Sequence, residues 1–90
     1  METTPLFTAD MIGPRLVCQM IVETQNHVWF LKDQVSFGKI TANANNDGLH
    51  QIAKMLEAAA HLQAGALNDS TAKMIFEEAH QKFIQVVGSR

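Results

Sequence analysis

The sequence predicts an α+β fold, in which an N-terminal β-hairpin or three-stranded antiparallel meander is followed by a C-terminal α-helical hairpin. Three observations carry this expectation. Residues 15–23 alternate, with Leu16, Cys18, Met20 and Val22 on one face at period two, which is the spacing of a half-buried strand. Residues 28–31 read Val-Trp-Phe-Leu and follow the polar stretch 24–27; strand-favouring residues after a turn-compatible segment suggest a hairpin. From residue 48 onward the apolar positions recur at spacings of three and four, as in helices that bury one face.

Taken in order, residues 1–14 read as an irregular lead-in punctuated by Pro5, Gly13 and Pro14. Thr8 is placed to cap a single turn that Pro14 stops, and Leu6, Phe7, Met11 and Ile12 are apolar enough to pin the segment to the core. Residues 15–40 are assigned to strands, the third at 35–40, and residues 41–47 to a polar connection ending in the capping residues Asn46 and Asp47. The first helix is expected over 48–64, with Leu49, Ile52, Ala53, Leu56, Ala59 and Ala60 on its apolar stripe and Gly65 as a left-handed cap. After a short loop, Asn68, Asp69 or Ser70 caps a second helix over 70–87, which Gly88 ends. The alternative is an all-α bundle, because Val17, Met20, Ile21, Thr24, Val28 and Leu31 also fit a helical stripe. Periodicity alone does not separate short apolar runs of this kind.

Composition narrows the function classes. Ninety residues make one domain, and 47% apolar content excludes a disordered chain. Seven basic and nine acidic residues, scattered along the chain with a net charge of −2, argue against binding nucleic acid by phosphate neutralisation. A nucleic-acid-binding transcriptional regulator stays as the alternative reading; it needs Arg15, Lys32 and Lys39 to converge on one sheet face in a dimer. One cysteine excludes an internal disulfide. Residues 1–10 lack the pattern of a signal peptide, so a cytoplasmic protein is expected. No stretch approaches the roughly 20 apolar residues of a membrane span.

No catalytic, cofactor or metal constellation emerges. His50, Lys54, Glu57 and His61 share the outer face of the first helix, and Glu77 and His80 form a single Glu-x-x-His pair. Helical bundles that bind two metals need two such pairs and two further glutamates. Cys18 reads as a buried small hydrophobe, with no motif around it. What the sequence does offer is surplus apolar surface. Trp29 and Phe30 point to opposite faces of a strand, leaving Trp29 either exposed or covered by Leu6 and Phe7. Met55 and Leu62 on the first helix, and Met74 and Ile84 on the second, lie outside the main stripes. The expectation is a non-enzymatic interaction or regulatory protein that binds a second copy of itself, another protein, or both through Trp29, Met55, Leu62, Met74 and Ile84.

Overall fold

A computed structural model describes residues 6–88. They form three helices, α1 (Gly13–Ser36), α2 (Ala42–Gln63) and α3 (Asp69–Val87), and no strand among the described residues. The α+β expectation is therefore overturned in favour of a small all-helical bundle. Residues 15–36 are one continuous helix, and 37–40 are the turn that ends it rather than a third strand.

The correction has a local cause. The stripe that α1 buries is Leu16, Met20, Thr24, His27 and Leu31, so two of its five members are polar residues that suit a turn in isolation. Each is bonded to the helix's own backbone. The Thr24 hydroxyl donates to the Met20 carbonyl at 2.7 Å, and the His27 ring bonds the Glu23 carbonyl one turn back. Such back-bonding removes the cost of burying a hydroxyl or an imidazole. Pro14, expected to stop a turn, instead opens the helix in its first turn, where its missing N–H costs nothing.

The helix ends follow from capping chemistry. At the end of α1, the amide of Gly38 donates to Val35 O and that of Lys39 to Gln34 O, with Gly38 at φ 64°. At the end of α2, Gly65 donates to Leu62 O and Ala66 to His61 O, with Gly65 at φ 80°. Both are Schellman caps, which need a residue comfortable in the left-handed region. The second was expected from the sequence; the first was not. The Thr41 hydroxyl caps α2 by accepting from Ala44 N at 3.1 Å. The helix thus starts at Ala42, and the stretch taken for a polar connection is helical. The Asn68 side chain caps α3, accepting from Thr71 N at 2.7 Å.

Helix α2 is the central element, packing on α1 along one side and α3 along the other, whereas α1 and α3 touch less extensively. The core gathers Leu16, Met20, Leu31, Ile52, Met55, Phe76 and Phe83 with alanines 58, 59, 72 and 79. Gly48 sits where the helices come closest. A Cβ there would lie 2.7 Å from Val87 Cγ2 and 3.3 Å from Leu31 Cδ1, so this interior position of α2 accepts no side chain without displacement.

The lead-in is strapped across α3. Phe7 is buried edge-on to Phe76, ring centres 5.1 Å apart. Leu6 N donates to the Glu77 carboxylate at 2.8 Å, and Lys73 donates to Thr8 O at 3.0 Å. Leu6 and Met11 pack on the core as expected, but Ile12 is exposed. Pro5 lies outside the described residues.

Candidate functional site

The outer face of α1 exposes a run of large apolar side chains. Ile21, Val22, Val28, Trp29 and Val35 are all exposed, with Trp29 56% accessible. Residues three, four and seven apart share one side of a helix, so Cys18, Ile21, Val22, Gln25, Val28, Trp29 and Lys32 form one strip. Every one of them but Lys32 is uncharged. The Lys32 ammonium lies 5.1 Å from the centre of the Trp29 ring, where cation–π attraction keeps the charge at the edge of the strip. Cys18 is exposed on it, contrary to its expected burial, because helical rather than strand geometry places it on the side away from Leu16 and Met20. Trp29 and Phe30, expected on opposite faces of a strand, stand about 100° apart around the helix. Phe30 leans on Phe83, centroids 6.4 Å apart, while Phe7 is committed to Phe76 and leaves Trp29 uncovered.

The strip has an internal symmetry. Counted from Gln25, apolar residues stand at −4 and −3 (Ile21, Val22) and at +3 and +4 (Val28, Trp29). Gln25 is exposed at their centre and near the middle of Gly13–Ser36.

The structure separates the other expected contact residues. Met55 is 0% exposed and belongs to the core, so it is corrected from a partner contact to a packing residue. Leu62 is half-buried and rests on the core. Met74 is 63% exposed on the outer side of α3. Ile84 is half-buried and lines a cleft between α1 and α3. Of the five, only Trp29 joins the α1 strip.

That cleft, of about 210 Å³, is lined by Glu23, Asn26, His27, Phe30, His80, Phe83, Ile84 and Gly88. At its base His27 Nε2 and His80 Nδ1 are 2.7 Å apart, and His27 stands edge-on to Phe83 at 4.9 Å. The sequence hid this pair: its members are 53 residues apart, and His80 read as half of a Glu-x-x-His motif. Burial, and then the neighbouring His27, push the His80 pKa below its ordinary 6.5, while Glu77 and Glu23 oppose the shift. A second, more polar cleft of about 300 Å³ runs between α2 and α3, with Gln51, Lys54, Glu57, His61, Glu78 and Lys82 on its walls. Glu78 and Lys82 pair across one turn at 3.1 Å. No group of three or more metal-ligating side chains occurs among the described residues.

The three bases required by the nucleic-acid reading do not gather. Arg15 pairs with Asp10 at 3.3 Å, Lys32 lies over Trp29 and Lys39 over Phe37, so they are strung from the first turn of α1 to beyond its last. No described helix is long and apolar enough to cross a membrane. No protein-family model, curated protein or solved structure matches the chain.

Proposed function

We propose that the protein is a small interaction module that works as a homodimer, with the outer face of α1 as its self-docking surface. The observation that carries this reading is the apolar pattern symmetric about Gln25. A two-fold interface sets residue i against j and j against i. Two α1 helices packed antiparallel, with the dyad beside Gln25, bring Ile21 against the partner's Val28, and Val22 against the partner's Trp29. The two Gln25 amides then meet, each able to donate to and accept from the other. Lys32 faces the partner's Cys18, which keeps the two Lys32 charges about 20 Å apart along the helix axis. Exposed aromatic and branched side chains around a self-pairing amide are the composition of an interface centre.

The test uses cysteine pairing. In a Cys18→Ser background, Gln25→Cys should oxidise to a covalent dimer, because the two residues 25 meet on the dyad. Cys18 in the unmodified chain should not, because its copy lies at the other end of the strip. Gln25→Glu, which opposes two carboxylates, should give a folded monomer in sedimentation at tens of micromolar. An unmodified chain that sediments as a monomer at that concentration, or a dimer that crosslinks through Cys18 rather than position 25, overturns the reading.

A further inference from the structure

We infer that His27 and His80 form a proton-operated clasp that holds α1 to α3 and releases when the pair takes up its second proton. The argument begins with the Glu23 carbonyl. A carbonyl only accepts, so the His27 Nδ1 that bonds it must carry a hydrogen. In neutral His27 the Nε2 is then a bare acceptor, and His80 Nδ1, 2.7 Å away, must be the donor. The chain of donors runs from His80 through His27 to Glu23, and the tautomer of each ring is set by its neighbour.

One added proton preserves this chain. Whichever ring receives it, a single hydrogen still lies between His27 Nε2 and His80 Nδ1. A second proton does not, because both nitrogens then carry hydrogens and two imidazolium charges face each other across the contact. The pair joins the two helices that pack least on one another, so losing it removes their hydrogen-bonded contact and leaves mainly the packing of His27 and Phe30 on Phe83. The charged groups that act on the pair are Glu23 from α1 and Glu77 from α3. Glu77 is also engaged by the amide of Leu6 in the lead-in, and α2 contributes no residue to the cleft. The two acids favour the charged ring but are outweighed by burial and by the second histidine. Because the folded chain binds the proton on His80 less readily than the unfolded chain does, stability is complete above the ordinary histidine value of 6.5 and declines as the pH falls through it. The cleft lies on a different side of α1 from the Gln25 strip, so this device does not depend on dimerisation.

The experiment is a pH series from 8 to 5 on the full chain in a chelating buffer, read in two ways. Nitrogen-15 NMR of the histidine rings at pH 7.5 should show His27 and His80 both carrying hydrogen on Nδ1. Urea unfolding should show the folding constant falling about tenfold per pH unit for each proton gained on unfolding, and His80→Gln should flatten that fall. If either ring carries its hydrogen on Nε2 alone at pH 7.5, or His80→Gln keeps the same pH slope, the clasp is refuted. The ring measurement decides the matter even where the variant does not fold.

Discussion

Helix α1 and the α2–α3 hairpin solve the same packing problem with different side chains. The hairpin fills the core with Ile52, Met55, Phe76 and Phe83, buries one polar residue, Gln51, and leaves Leu49, Leu56 and Met74 exposed. Helix α1 buries Thr24 and His27 and leaves Ile21, Val22, Val28, Trp29 and Val35 outside. A helix can face its core with polar residues when its own backbone bonds them. Its apolar residues then stay exposed, and its core side is hidden among residues that look like a turn.

Four substitutions test this contrast. The largest effect is expected at Phe76, fully buried in α3 against Phe7. Phe76→Ala should cost about 4 kcal/mol in urea unfolding of the monomer, whereas Trp29→Ala should change monomer stability by no more than about 0.5 kcal/mol. Similar losses at the two aromatics would mean that the α1 strip is part of the monomer core after all. Next comes Gly48, where the helices meet most closely. Gly48→Leu should destabilise by about 3 kcal/mol through overpacking against Leu31 and Val87, measured by thermal or urea unfolding; a neutral result would show that α1 and α3 can move off α2 freely. The smallest effect is the most diagnostic. Thr24→Val keeps the shape and removes a hydroxyl bonded only to a carbonyl within its own helix. It should leave stability within about 1 kcal/mol of the unmodified chain, since the lost hydrogen bond is offset by burying an apolar group and no partner is orphaned. A clear loss would assign the hydroxyl a partner beyond Met20.

Most of the hairpin was legible in the chain. Helices expected over 48–64 and 70–87 are found as Ala42–Gln63 and Asp69–Val87, with Gly65 and Asn68 in their capping roles. The buried face of the first, however, is rotated: Gln51, Ile52, Met55, Ala58 and Ala59 are inside, while Leu49, Ala53, Leu56 and Ala60, expected on its stripe, are exposed. Runs of apolar residues at helical spacing, bounded by a left-handed glycine and an amide cap, are local signals that need no tertiary partner. The start of α2 was misplaced by six residues because Asn43, Asn45, Asn46 and Asp47 are poor helix formers that mimic a loop. Thr41, one residue before the helix, carried the usable signal.

By itself, then, the sequence determined a single small domain, a C-terminal helical pair with its caps, and an excess of apolar surface centred on residues such as Trp29. The tertiary structure alone decided that residues 15–36 are helical, that Gly48 is an interior contact, that Met55 faces inward and Cys18 outward, and that His27 meets His80. The physical reason is the range of the interactions. Helix spacing and capping are read within one or two turns of chain. His27 finds its second partner, His80, only in the folded chain and 53 residues away, where no local pattern can announce it.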